Sequence, residues 1–141
     1  MSIRRISPNK LVAGPDDIVD FGGAVAGATI TVGEENSNVR AIAIQLKDGQ
    51  GNDLTTRAAV KIAVFADANG DAFVGTGGST GIAVGTDGAL LPIVAKKLFL
   101  AVSETDGDID LTWTDTGVEA AYLGIILPNG KLIMSSALAN T

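Results

Sequence analysis

Short runs of alternating apolar and polar residues, separated by turns rich in glycine, asparagine and aspartate, occupy most of this 141-residue chain. Apolar side chains recur at every second position in three clear sets: Ile42, Ile44 and Leu46; Val60, Ile62 and Val64; and Ile109, Leu111 and Trp113. Alternation of this kind is typical of a half-buried β-strand. No helical period of useful length competes with it. The pattern therefore predicts an all-β sandwich of about seven or eight short antiparallel strands.

Proline and glycine refine this strand prediction in three places. The apolar run 90–95 contains Pro92, which cannot donate a hydrogen bond to a ladder, so we expect an edge strand or a bulge there. Asn129-Gly130 stands between two apolar runs and predicts a tight hairpin. The sequence GTGGSTG at 75–81 is too rich in glycine for a strand and predicts a flexible loop.

Two phenylalanines stand where the alternation predicts outward side chains. We expect Leu98, Leu100 and Val102 to face the core, which would place Phe99 on the outer surface. Phe65 is outward by the same parity in its own strand. An apolar side chain that faces out of a sandwich often marks a subunit interface, so Phe65 and Phe99 are candidate partner-binding residues. The alternative is that the N-terminal segment or a loop covers them.

The N-terminal segment differs from the rest in charge. Residues 1–15 contain Arg4, Arg5 and Lys10 and no acidic residue, whereas the whole chain has a net charge of −6. We expect residues 1–28 to form an extended N-terminal arm and residues 29–141 to form the sandwich domain. Such an arm either orders only against the body or clips onto a neighbouring subunit or an acidic partner surface. In the second case the three basic residues are candidate partner-binding residues.

Composition excludes several classes of chemistry. The chain has neither histidine nor cysteine, which removes the commonest general base, the usual metal ligand, thiolate nucleophiles and disulfides. Its isoelectric point of about 4.4 predicts repulsion from nucleic-acid phosphates. It also lacks a long apolar run that would cross a membrane and an apolar segment typical of a secretory signal. We therefore expect no enzymatic activity, no cofactor, no nucleic-acid partner and no membrane association.

The acidic residues carry the remaining chemical hypotheses. Glu104, Asp106, Asp108 and Asp110 alternate along the chain, and carboxylates can converge on Ca²⁺ when a loop curls around the ion. On an extended strand, however, alternate side chains lie about 7 Å apart, which is too far for one ion. The turn 67–71 begins like a calcium loop but lacks its later ligands. We interpret both as solvated turns, with a cation site as the alternative, and we assign no metal residue.

The sequences of the strands and turns resemble those of one group of known proteins. The stretches AIAIQLKDGQGNDL, GTDGALLPIVAKKLFLAVSETDGDIDLTWTDTG and YLGIILPNGKLIMSSALA are similar to small structural proteins of tailed bacteriophages. These proteins look like immunoglobulin-like (Ig-like) β-sandwich modules; some decorate the head, and others are attached to tail or fibre proteins. The resemblance covers about residues 29–138. It implies an Ig-like sandwich and a virion component without a catalytic motif.

On this resemblance, the leading hypothesis is a capsid decoration protein. It would be made in the host cytoplasm and bind the major capsid protein of the assembled lattice. Lattice symmetry would favour a homotrimer at threefold positions. One alternative is a tail, neck or fibre module that contacts the host surface. Another is a cellular Ig-like adhesion domain, which the missing secretory signal disfavours.

Overall fold

A computed structural model describes residues 24–141 in full and, before them, the backbone of three short strands, β1 (Arg4–Ser7), β2 (Lys10–Val12) and β3 (Ile18–Asp20). These three strands pair as a small antiparallel sheet in the order β1-β2-β3. The side chains of Arg4, Arg5 and Lys10, which the sequence nominates for partner binding, lie outside the described part of the chain.

Nine further strands form two antiparallel sheets. They are β4 (Gly27–Val32), β5 (Val39–Lys47), β6 (Ala59–Phe65), β7 (Gly81–Val84), β8 (Ala89–Val94), β9 (Leu98–Val102), β10 (Asp108–Thr114), β11 (Tyr122–Ile126) and β12 (Leu132–Ala137). One sheet has the order β4-β5-β10-β7 and the other the order β12-β11-β6-β9-β8. The described residues contain no helix, and thus none that is long and apolar enough to span a membrane. The predicted all-β sandwich is confirmed, with its first strand starting at Gly27 rather than Thr29.

The arrangement of the strands is Ig-like. Four strands face five in the layout of an immunoglobulin variable-type sandwich, in which a two-strand hairpin widens one sheet. The connectivity differs at one point, because the chain builds β7 in the four-stranded sheet before it forms the β8–β9 hairpin in the other. The β8 strand is an edge strand with an irregularity between Pro92 and Val94, as its proline predicts. The Asn129-Gly130 turn joins β11 to β12.

The core lies between the sheets and is built from the alternating positions. In β10, Ile109, Leu111 and Trp113 are buried, while the intervening aspartates and threonines point away from the core. Ile44 and Ile42 of β5 stand opposite Ile109 and Leu111 across the ladder. Because residues opposite each other on paired strands share a face, one inward set reinforces the other. Trp113 is fully buried, so it is a core residue rather than an exposed interface anchor.

The end of the chain is fastened to the four-stranded sheet. Arg40 of β5 donates hydrogen bonds to the carbonyls of Gly33, Leu138 and Ala139 at 3.0–3.1 Å. The buried Asn140 side chain donates to the carbonyls of Asn38 and Asp115. These bonds all go to backbone carbonyl groups near the margin of the sheet. They hold residues 138–140 against the body.

Candidate functional site

The register of β9 corrects the prediction for Phe99. Phe99 stands opposite Ile62 of β6, and Ala101 stands opposite Val60. Ile62 and Val60 face the core, so Phe99 faces it too and is only 4% exposed. The predicted inward set of Leu98, Leu100 and Val102 is wrong for the same reason, since these residues occupy the outer face and are half-buried.

Phe65 has the predicted outward parity but is not exposed. The loop that follows β6 folds back over it, and the rings of Phe65 and Phe73 stack with centroids 6.0 Å apart. On its other side Phe65 packs over Gly124, where a side chain of any size would run into the ring. Phe65 is therefore 9% exposed, and loop cover, which was the alternative reading, applies to it. Neither phenylalanine offers a free contact surface.

The exposed apolar surface lies instead across the outer face of the five-stranded sheet. Adjacent strands place five outer side chains in one row, in register across the ladder: Leu91, Leu100, Lys61, Ile126 and Leu132. Leu91 is 62% exposed and Leu132 is 38% exposed at the two ends of the row. Ile93 and Val94 add exposed apolar surface at the β8 edge. We call this surface, from Leu91 to Leu132, the outer face.

Charge is almost missing from the outer face. The five strands of this sheet contain one charged residue, Lys61, and no acidic residue. The whole chain nevertheless has 16 acidic residues and a net charge of −6. A shallow hollow of about 270 Å³ lies beside Lys61. It is lined by Ala59, Val60, Lys61, Leu100, Ile126, Leu127 and Pro128. Large exposed apolar patches on a folded domain mark interaction sites.

The acidic string converges more than its spacing predicts. Asp108 and Asp110 project from one face of β10, and Asp87 joins them from the β7–β8 connection, so that carboxylate oxygens of all three lie within 4.8 Å of one another. Burial, followed by the charges and hydrogen bonding of Asp110, Asp87 and Asp106, raises the pKa of Asp108 above its ordinary value of 3.8. The strand geometry alone missed Asp87, which lies on a neighbouring segment. Clusters of exposed acids are common without an ion, and we assign no metal here.

The turn at 67–71 uses its carboxylate to hold its own backbone. Asp67 accepts hydrogen bonds from the backbone N–H groups of Asn69 and Asp71 at 2.9 and 3.1 Å. The bond from Asp71 contributes most to a pKa of Asp67 below its ordinary value, against a smaller opposing effect of burial. A side chain that caps its own turn in this way explains, without an ion, why the sequence of this turn begins like a calcium loop.

The glycine-rich loop 75–81, which the sequence predicts to be flexible, is anchored by a carboxylate of the protein itself. Glu119 accepts hydrogen bonds from the consecutive backbone N–H groups of Thr76, Gly77 and Gly78 at 2.8–2.9 Å, and from the Thr76 hydroxyl at 2.9 Å. Burial raises the pKa of Glu119, yet these hydrogen bonds lower it more, and the result is a pKa below 4.5. Asp115 holds the next residue, Ser79, through its backbone N–H. Successive N–H groups of this kind form a nest for negative charge.

Comparison with protein-family models, with curated proteins and with solved structures finds no match to this chain. The fold is an all-β sandwich of two antiparallel sheets. Its distinguishing surface is the outer face, and the carboxylates that drew attention in the sequence serve turns, a loop anchor and one acidic cluster.

Proposed function

We propose that this protein is a non-enzymatic structural component of a tailed-phage virion, which decorates the assembled capsid and stabilises it by binding the major capsid protein lattice. The observation that carries the proposal is the outer face, an apolar surface on a sandwich in which the carboxylates of the 67–71 turn and of Glu119 bind the protein's own backbone. A rigid module that exposes such a surface is suited to binding another protein. The resemblance of three stretches of the chain to phage structural proteins supplies the class of partner.

The mechanism is thermodynamic linkage. A protein that binds the assembled lattice and not its separated subunits stabilises the lattice by RT ln(1 + [L]/Kd) per site, about 2.7 kcal/mol at a free concentration of 100 Kd. Many sites of modest affinity then add up over a whole capsid. In this proposal Arg4, Arg5 and Lys10 of the arm clamp a neighbouring acidic surface, and the bound copies form trimers at threefold positions of the lattice. The threefold arrangement follows from lattice symmetry alone.

Copy number tests the location. Quantitative mass spectrometry of purified virions of the phage that encodes this chain should find hundreds of copies per particle. A few copies per particle would refute the decoration role and favour the tail, neck or fibre module that contacts the host surface. Absence from purified virions would refute both.

A truncation tests the arm separately. Removal of residues 1–23 leaves β4 intact, because that strand begins at Gly27. We expect the truncated protein to keep its fold and to bind stripped capsids at least tenfold more weakly. A full-length chain with Arg4, Arg5 and Lys10 changed to glutamate should bind as weakly as the truncated protein. Lys47→Glu, a charge reversal on β5 of the other sheet, should leave the binding unchanged. Full-strength binding by the truncated protein would remove the arm from the mechanism.

A further inference from the structure

The row of side chains across the outer face reads the same from both ends. Its order is Leu91, Leu100, Lys61, Ile126, Leu132, with one lysine at the centre and two aliphatic residues on each side. A twofold axis parallel to the strands and passing over Lys61 sets Leu91 of one copy against Leu132 of the other. It also sets Leu100 against Ile126. Isologous contacts between identical chains need this kind of self-complementarity.

We infer that the outer face binds the outer face of a second copy of this chain, so that the free protein forms a face-to-face dimer. This contact does not depend on the proposed function, but it uses the same face that the proposed function gives to the lattice, so the dimer has to open before a copy binds a capsid. It concerns the protein in solution, before any lattice is met, and it is twofold where the lattice arrangement is threefold. The hollow beside Lys61, which Leu100 and Pro128 help to line, gives space for the aliphatic side chains of the opposing row.

The size of the face predicts a weak dimer. Five strands spaced by about 4.8 Å and contributing about five residues each give a face of about 24 Å by about 17 Å, or about 400 Å² per copy, of which the loop that stacks Phe73 on Phe65 and sets Gly70 against Leu132 forms one part. Two copies would bury about 800 Å² in total by this measure, at the lower end of specific interfaces, where weak and transient complexes are found. We therefore expect dissociation constants of about 10–500 µM.

Charge and edge chemistry favour packing of faces over other contacts. The five strands carry no acidic residue, which limits the repulsion that most of this −6 chain would bring to a contact with its own copy. Asp67 and Asp71 flank the face in the turn whose Gly70 packs against Leu132, and the two Lys61 ammonium groups at the axis can reach solvent at the ends of their long side chains. Pairing of β8 edges into a continuous sheet is disfavoured, because Pro92 lacks an N–H and the ladder is irregular between Pro92 and Val94. Face-to-face packing uses side chains and leaves both edges unchanged.

Sedimentation equilibrium of the full-length protein between about 10 and 500 µM tests the dimer. We expect a monomer–dimer equilibrium that tightens from 50 to 500 mM salt, since the two copies carry like net charge. Leu91→Asp and Leu132→Asp, at opposite ends of the row, should each weaken the dimer by at least tenfold. The control is Val118→Asp, which puts the same change at a residue that is 71% exposed in the β10–β11 connection, and it should leave the dimer unchanged.

Lys61 tests the position of the axis. In the wild-type dimer Lys61 of one copy faces Lys61 of the other. Lys61→Glu replaces this pair of like positive charges with a pair of like negative charges. A mixture of the two proteins contains the opposite-charge pair, so it should form a heterodimer about three to ten times tighter than either homodimer. Three outcomes would overturn the inference: a monomer throughout the range, equal effects of Leu91→Asp and Val118→Asp, or a mixture no tighter than its components. A Leu91→Asp effect without a Leu132→Asp effect would overturn it in favour of β8 edge pairing, and a trimer mass would overturn the twofold contact.

Discussion

Glu119 is predicted to be one of the largest single polar contributions to stability in the sandwich. Glu119→Ala removes the acceptor of three backbone N–H groups and one hydroxyl in the glycine-rich loop. Thr76 is exposed, and its groups can turn to water at little cost, but Gly77 and Gly78 are buried. Each of those two N–H groups loses a charge-assisted hydrogen bond, which at a part-buried site is worth about 1.5 kcal/mol, the lower end of the range for charged acceptors. We therefore expect a loss of about 2–3 kcal/mol in the free energy of unfolding.

The loop cannot relax easily into another conformation. Gly77 and Gly78 have φ values of +84° and +75°, in the region that favours glycine. A β-carbon on Gly78 would lie 2.9 Å from the ring of Trp113, so the bare backbone of the loop rests directly on that side chain. Loosening the loop should therefore let solvent reach the one tryptophan of the chain. Acrylamide should quench its fluorescence more strongly in Glu119→Ala than in the wild type.

Urea denaturation followed by tryptophan fluorescence measures the effect. With an m-value of about 2 kcal/mol/M, a loss of 2–3 kcal/mol lowers the midpoint by about 1–1.5 M at unchanged m. Glu119→Gln keeps an acceptor without the charge and should lie between the two. Glu34→Ala, at an exposed glutamate, is the control and should shift the midpoint by less than about 0.3 M. A Glu119→Ala midpoint within that same margin would refute the reasoning.

The pH dependence has a defined sign. The folded pKa of Glu119 is lowered below 4.5, so its contribution is complete above pH 4.5 and is lost as the pH falls through the folded pKa. The difference in stability between wild type and Glu119→Gln should consequently shrink below pH 4.5. A difference that stays constant to pH 3 would mean that the bonds to the charged form are not its source.

Three further predictions concern the acidic cluster, the packing under Phe65 and the fastening of the chain end. The folded pKa of Asp108 is raised above 3.8, so ionisation of Asp108 destabilises the fold as the pH rises. Asp108→Asn should therefore raise the free energy of unfolding at pH 7 by about 0.5 kcal/mol. Urea titrations at pH 3 should show no gain. Gly124→Ala puts a methyl group into the Phe65 ring and 3.0 Å from the Met134 sulfur, so thermal unfolding should show a loss of stability of about 1–3 kcal/mol. The control Gly27→Ala meets only the Lys47 β-carbon at 3.6 Å and should lose no stability. Equal losses would contradict the packing argument. Arg40→Met keeps the apolar stem but loses three hydrogen bonds to carbonyls, so it should lower the free energy of unfolding by about 2 kcal/mol. It should also speed hydrogen exchange at the Leu138 amide. Unchanged exchange there would show that other contacts hold the end of the chain.

Local signals were enough for most of the sandwich strands, for the β11–β12 hairpin and for the class of fold, but they gave about seven or eight strands instead of nine and did not mark β7. Alternation specified β5, β6 and β10 because each has one face in the core and one in solvent. The β9 strand, LFLAV, is apolar at every position, so its sequence cannot say which set faces inward. The pairing of Ile62 with Phe99 decides that, and pairing is a long-range property.

The candidate site was harder to predict because its residues come from distant parts of the chain. Glu119 binds Thr76, which lies 43 positions away in the sequence. Asp87 lies in the β7–β8 connection and reaches Asp110 on the separate strand β10. Phe65 had the right parity, but its cover by the loop around Phe73 leaves no trace in local pattern. The outer face was visible in the strand sequences only as a lack of charge, a signal that gains meaning once the five strands are known to be neighbours.

The uneven placement of charge on the sandwich also has a consequence for how the protein meets a charged solid. All the acidic residues lie outside the five strands of the larger sheet, and several cluster around β10 in the other sheet. On a positively charged resin or grid the molecule should land on its β10 side and form an oriented layer. The outer face would then point away from the support, ready for binding measurements without a tag.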